Sequence, residues 1–151
     1  MKRRHRERGQ SLVEFALVFP FFALLLFGIV DLGRYVYTMN ALNEAAREGA
    51  RAGVVAIRPS PECDGLSRAQ CVQQVAAGRM TAVPVQPADV VVSCRRVNPN
   101  GTIGSISVAN CRTNDFLGVT VPARFSLVTP LIAQFLGTLD LSGQAEVTVN
   151  Q

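Results

Sequence analysis

Beyond residue 5 the chain has no histidine, and beyond residue 2 it has no lysine. A Ser-His or Cys-His nucleophile pair therefore cannot be built downstream of the first few residues. No G-x-x-x-x-G-K-[ST] loop is present to cradle a phosphate. The four cysteines include no C-x-x-C pair and have no histidine after them, so zinc-ligand spacing is missing as well. Asp115 and Asp140 are the acids a glycosidase couple would recruit, but lone surface carboxylates near turns are the commoner reading of such residues. Neither an enzymatic activity nor a cofactor is expected.

Charge is also scarce where it would matter for nucleic acid. The net charge is +4, yet residues 2–8 (KRRHRER) hold five of the fifteen Lys and Arg. From Gln10 onward ten arginines face ten acids, so that portion is formally neutral. No basic patch interleaved with aromatics is found there, and nucleic acid is not an expected partner.

What the chain does contain is a long apolar run. Leu12 to Val30 is nineteen residues with one charge, Glu14, and fourteen of Leu, Ile, Val or Phe. At about 1.5 Å per residue it spans roughly 28 Å as a helix, close to the roughly 30 Å of bilayer hydrocarbon. Fourteen such residues favour insertion by roughly 4–8 kcal/mol, against about 3 kcal/mol for a carboxylate at the helix centre and less near its end. Insertion wins, and the lipid bilayer is an expected partner. The basic cluster ahead of the run holds the N-terminus on the cytoplasmic side, placing the residues after Val30 outside the cytoplasm. A cleaved secretory signal is not expected, because the run is too long and "DLGRYVYTM" after Val30 offers no A-x-A site.

The helical pattern continues past the span. Leu32, Val36, Met39, Leu42, Ala46, Ala50, Gly53 and Ile57 recur at three- and four-residue steps. Glu44–Arg47 and Glu48–Arg51 are i,i+3 pairs on the wetter side. One long helix is thus expected from about Leu12 to Ile57, ended by Pro59 and Pro61. Pro20, inside the span, removes one i−4 hydrogen bond. It is either a kink with a role or a proline that a membrane helix tolerates. Ala45, Gly49 and Gly53 lie four apart and permit close packing of a neighbouring backbone, from another subunit or from the chain's own sheet.

Residues 58–88 read as loop with a short helix over about Arg68–Met80. Strand signals then appear at Asp89–Val97, at "TIGSISVANCR" after the turn residues Asn98–Gly101, at Phe116–Val128 bent at Pro122, and at Leu141–Val149. A short helix is expected after Thr129 and Pro130. Asn100-Gly101-Thr102 matches a glycosylation sequon, but the hairpin turn alone explains it. The four cysteines (Cys63, Cys71, Cys94, Cys111) all lie in the external portion, and an even count there reads as two disulfides. Three pairings are possible. Cys63–Cys71 and Cys94–Cys111 are preferred, closing a short loop and clipping two strands, each worth about 2.5–3 kcal/mol in the loop-entropy model. The expected class is α+β, a long N-terminal helix on an antiparallel sheet. Its divisions are 1–9, a basic leader; 10–57, the helix; and 58–151, a disulfide-clipped head.

Several blocks of the N-terminal third agree with one family. "RGQSLVEFALVFPFF", "FGIVDLGR" and "NEAAREGAR" resemble the TadE-like family, minor pilin-like proteins of tight-adherence pili with a type IV prepilin-like N-terminus. The resemblance covers about residues 8–55, and "FSLVTPLIAQFLGTLDLSGQAEVTV" is more loosely similar to the family's tail. It implies a prepilin peptidase cutting between Gly9 and Gln10, with methylation of the new terminus. It implies that Glu14, with Phe15 behind it, meets the free amine of a neighbouring subunit during assembly. The implied partners are that peptidase, other pilins and pseudopilins, and the inner-membrane assembly platform. The implied location is the cytoplasmic membrane, single-pass, with an external C-terminal domain or incorporation into the pilus. Such a pairing is physically coherent, since a carboxylate in lipid is costly unless it meets a cation. The alternative is an uncleaved single-pass anchor displaying a binding or scaffold domain.

Overall fold

Apolar and good helix-forming residues run almost without interruption from the N-terminus to Val55, and they form one helix. In the computed structural model this is α1, Arg4–Val55, continuous through Pro20. The structure describes residues 4–55 (side chains from Gln10), 63–129, 133–135 and 137–150. The expected helix end at Ile57, with Pro59 and Pro61, lies outside the described residues, as does Pro130. After α1 come α2 (Arg68–Arg79), β1 (Val91–Val97), β2 (Ile103–Ile106), β3 (Phe116–Ser126) and β4 (Thr138–Thr148). Short 3-10 turns occupy Pro87–Asp89 and Val108–Asn110. The architecture is α+β, with the long helix packed on a four-stranded antiparallel sheet.

Two compact units make up the chain. One comprises Met1–Tyr35 and Ser126–Thr138, the other Val36–Phe125 and Leu139–Gln151. The division falls inside α1 rather than at its end.

In the second unit the sheet order is β2-β1-β3-β4. β1 pairs with β2 from Cys94↔Ile106 to Val97↔Ile103, and with β3 from Val91↔Thr120 to Arg95↔Phe116. Pro122 lies beyond the last residue of β3 that β1 reaches, where a missing N–H breaks no β1–β3 bond. Leu117, Val119, Val121 and Phe125 alternate inward along β3. Val119 and Val121 meet Leu42, Ala45, Ala46 and Ala50 of α1 and Val72, Ala76 and Ala77 of α2 in the main core, while Leu117 packs with Cys94, Cys111 and Val149. The buried stripe of α1 thus begins later than the periodicity suggests, since Leu32 and Val36 are exposed.

Three glycines let backbones approach. A Cβ at Gly49 would fall 2.8 Å from that of Ala76, and one at Gly53 would collide with Leu117 and Val72. Gly143 of β4 faces the Leu42 carbonyl and the Asn43 amide so closely that no side chain fits there. The Ala45-Gly49-Gly53 row therefore seats α1 on the chain's own α2 and sheet. Glu48 pairs with Arg79 of α2 at 3.3 Å rather than with Arg51, because α2 brings a cation across to that face.

α2 begins at a complete capping box: the Ser67 hydroxyl accepts from the Gln70 amide, and the Gln70 side chain accepts from the Ser67 amide. The expected return strand is cut short. β2 stops at Ile106, and the 3-10 turn at Val108–Asn110 carries Cys111 to Cys94. The disulfides are Cys63–Cys71 and Cys94–Cys111, with Cα atoms 5.0 and 6.0 Å apart. At the sequon, the Asn100 carboxamide oxygen accepts from the Thr102 amide and hydroxyl, an Asx turn with Gly101 at φ +80°.

Asp115 is not the surface acid its sequence neighbourhood suggests. It is 3% exposed. Arg96 donates to it through Nε at 2.7 Å and through the terminal nitrogen at 2.6 Å, and the Arg112 amide donates at 2.7 Å. These bonds, led by Arg96, hold its carboxyl down from 3.8 to about 2, against the opposing pull of burial. The same contact raises the Arg96 guanidinium. A carboxyl lowered by folding stabilises the fold fully above its unfolded pKa and loses that contribution as pH falls through its folded one. Thermal midpoints of the intact protein should therefore drop between pH 3.8 and about 2. Asp115→Asn should lower the midpoint at neutral pH and flatten that part of the acid loss. An unchanged acid profile in the variant would show that other groups set it.

Candidate functional site

The first twenty residues with described side chains, from Gln10, form a helix whose apolar groups have no cover. Leu12, Val13, Phe15, Leu17, Val18, Phe21 and Phe22 are each more than half exposed, and exposure continues through Leu25 and Ile29. At 100° per residue these positions visit every side of the helix. A helix apolar all round belongs in the core of a large protein or in a membrane. None of the apolar window is buried by this chain, and the helix is long and apolar enough to cross a bilayer. Phe15 and Phe19, one turn apart, have ring centroids 5.4 Å apart.

Gly9 and Gln10 both lie within α1. Glu14 projects from the apolar surface one turn later and is exposed. Among the described residues none donates a hydrogen bond to it or pairs with it.

A second carboxylate brackets the span at its other end, and its importance was not legible in the sequence. Asp31 directly follows Val30 and is 5% exposed. Its Oδ1 accepts from the Val128 amide at 2.9 Å. Its Oδ2 accepts from the Thr129 amide at 2.9 Å and from the Thr129 hydroxyl at 2.6 Å. Arg34, one turn on, approaches Asp31 at 3.5 Å and donates to the Ser126 carbonyl at 3.3 Å. All these residues belong to the first unit. The Thr129 carbonyl accepts from the Ala133 amide at 2.9 Å and residues 133–135 are helical, while residues 130–132, where the expected short helix begins, lie outside the described residues. Asp31 stands inside the "FGIVDLGR" block, but its partners are 97 and 98 residues away. The available signal was an acid placed where an apolar helix ends.

The other candidates do not assemble a reactive centre. Asp140 lines an open cleft with Val83, Pro84, Asp89 and Arg124, and faces Arg124 at 3.8 Å. Asp115 is taken by Arg96, so the two acids are not brought together as a couple. Cys94, Cys111 and Asp115 cluster within 4.8 Å, the one such grouping among the described residues, but the two sulfurs are joined to each other.

A model of the TadE-like protein family matches residues 9–51. The match covers Gly9, Glu14, the span, Asp31, Ala45 and Gly49 and stops short of Gly53, and it agrees with the resemblance carried by the sequence blocks. No curated protein and no solved structure matches the chain. TadE-like proteins are associated with tight-adherence pili and carry an apolar N-terminal helix, which this chain shares.

The Asp31 cluster can be tested directly. Asp31→Ala removes the acceptor of three hydrogen bonds, each to a charged group, and should speed amide exchange at Val128 and Thr129 roughly tenfold or more. Exchange in β1 should not change. Hydrogen–deuterium exchange with the protein in detergent micelles measures both, and equal protection at 128–129 in the two proteins would discard the clamp.

Proposed function

We propose that the chain is a minor pilin-like component required to assemble a tight-adherence pilus, made as a precursor and cut between Gly9 and Gln10 by a prepilin peptidase. The observation that carries this reading is Glu14, an acid with no partner among the described residues on a lipid-seeking helix, inside the TadE-like match at residues 9–51. Before cleavage the basic residues 2–8 hold the N-terminus at the cytoplasmic face. Cleavage removes five cationic side chains and creates an α-amino group on Gln10. That ammonium is the complement a carboxylate needs in a low-dielectric medium, where an unpaired charge is expensive. In the assembly that the family resemblance implies, the amine that meets Glu14 comes from a neighbouring pilin, so that the pair forms between two chains.

In this reading Leu12–Val30 anchors the subunit in the cytoplasmic membrane, single-pass, and the disulfide-clipped head lies outside. Phe15 packs beside Glu14 against neighbouring helices, and Pro20 gives the span a point where its hydrogen-bond ladder is incomplete. Other pilins and pseudopilins and the inner-membrane assembly platform are the partners. The extracytoplasmic side is oxidising, which suits the two disulfides.

Mature protein from envelope fractions should begin at Gln10, and mass spectrometry of its N-terminal peptide reads this directly. Protein retaining Met1 or Lys2, with the peptidase present, would support an uncleaved anchor instead. Glu14→Ala should be processed normally yet cut pilus yield strongly, measured as sheared surface pilin. Full pilus yield from that variant would remove the carboxylate from the assembly step.

A further inference from the structure

We propose that the β3–β4 connection, residues 126–138, is a second membrane contact, seated in the outer interface of the bilayer that α1 spans. The inference rests on the reading of Leu12–Val30 as a span, and it adds an element that the span does not require.

The argument begins with composition. Residues 125–139 contain no charged side chain, the gap between Arg124 and Asp140. Within it stand Leu127, Val128, Leu131, Ile132, Phe135 and Leu136. A connection between two strands is ordinarily polar and faces water. This one is as apolar as a strand, and two of its described apolar side chains are open: Val128 is 51% exposed and Phe135 is 87% exposed, more than any other large apolar side chain described.

Its position supplies the partner. The Asp31 carboxylate accepts from the Val128 and Thr129 amides, both at 2.9 Å, and Asp31 is the first residue after the span. The backbone at 128–129 is thereby fixed at the level where α1 leaves the hydrocarbon. The headgroup region extends roughly 5–7 Å beyond that level. Tyr35, four residues past Asp31 and so about 6 Å further along the helix, lies at its outer edge. Residues 126–138 and α1 up to Tyr35 form one compact unit, so the apolar connection belongs with the membrane end of the helix. An exposed phenylalanine six residues past this anchor, in the same compact unit, is within reach of acyl chains and headgroups, and aromatic rings favour that zone.

The chain has no tryptophan, so one introduced residue reports alone. Phe135→Trp and, separately, Phe21→Trp at the middle of the span are reconstituted full-length in phosphatidylcholine–phosphatidylglycerol vesicles with acyl chains brominated at a shallow or a deep carbon. Phe135 packs against little, so the exchange leaves the fold intact. Trp emission from the first variant should fall by half or more with shallow bromines, less with deep ones, and resist aqueous acrylamide. The span variant should show the reverse depth order. If the residue-135 reporter ignores bromolipid and is fully open to acrylamide, the connection is a wet surface and the proposal fails. If it is shielded from both, another protein chain covers it and the proposal fails too. Should the span reporter itself escape bromolipid, the span reading falls, and this inference with it.

Discussion

A nineteen-residue helix segment that is apolar on every side, with no chain of its own to cover it, governs this molecule. Its fourteen large aliphatic and phenyl side chains must leave water, and the described residues of the chain do not bury them. Lipid or a bundle of like helices is the remaining solution. The gain, roughly 4–8 kcal/mol, exceeds the few kcal/mol that one carboxylate near the helix end costs. On that balance Glu14 does not prevent insertion, but its charge would be left unmet by the described residues of its own chain. A polar group under that constraint acts as a demand for a partner, and the chemistry of the demand is specific: a cation, at the depth of the helix start.

The same helix then changes what it asks of its surroundings. Beyond Thr38 the large apolar groups give way to Leu42, Ala45, Ala46, Gly49, Ala50 and Gly53, and this row is buried by the chain itself. Small residues allow α2 and β3 to pack against α1 at backbone distance, and Gly143 does so for β4. On the α1 side such a core gains from close contact, while Leu117, Val119, Val121 and Val72 supply the larger buried side chains. Two disulfides and the Arg96–Asp115 pair support it. The Cys94–Cys111 bridge and Asp115 act at one place, since Arg96 also donates to the Asn110 carbonyl at 3.1 Å.

Local signals in the sequence carried the elements well. The helical signal of α1 and the strand signal of β3 each depend on residues a few positions apart and each element appears where its pattern lies, although the buried face of α1 begins later than its periodicity suggests. The span and its unusual Glu14 were legible for the same reason. Contacts between distant residues were not. Asp31 looked like an ordinary acid after a hydrophobic run, because Val128 and Thr129 announce nothing about it. Asp115 read as a surface group because Arg96 sits nineteen residues upstream on another strand. Glu48 has a suitable arginine three residues on, but α2 presents a better-placed one. Pro122 argued for a bend, and the strand runs through it because the neighbouring strand ends first.

Two carboxylates bracket the span, and the contrast between them gives the clearest indication of what the helix is for. Asp31 is answered by its own chain: two amides and a hydroxyl donate to it, with a guanidinium close by. An acid so supplied anchors local structure and has little left to offer a partner. Glu14 stands two residues inside the other end, on a surface where water is excluded once the helix inserts, and no described residue answers it. If both acids served only to mark the membrane boundaries, both would be exposed to water or both would be internally satisfied. Instead the outer acid is closed off within the fold and the inner one is left open at the end where a proteolytic cut would create an amine. In the proposed reading, that asymmetry leaves the C-terminal end of the span to hold one chain together and the N-terminal end to join one chain to the next.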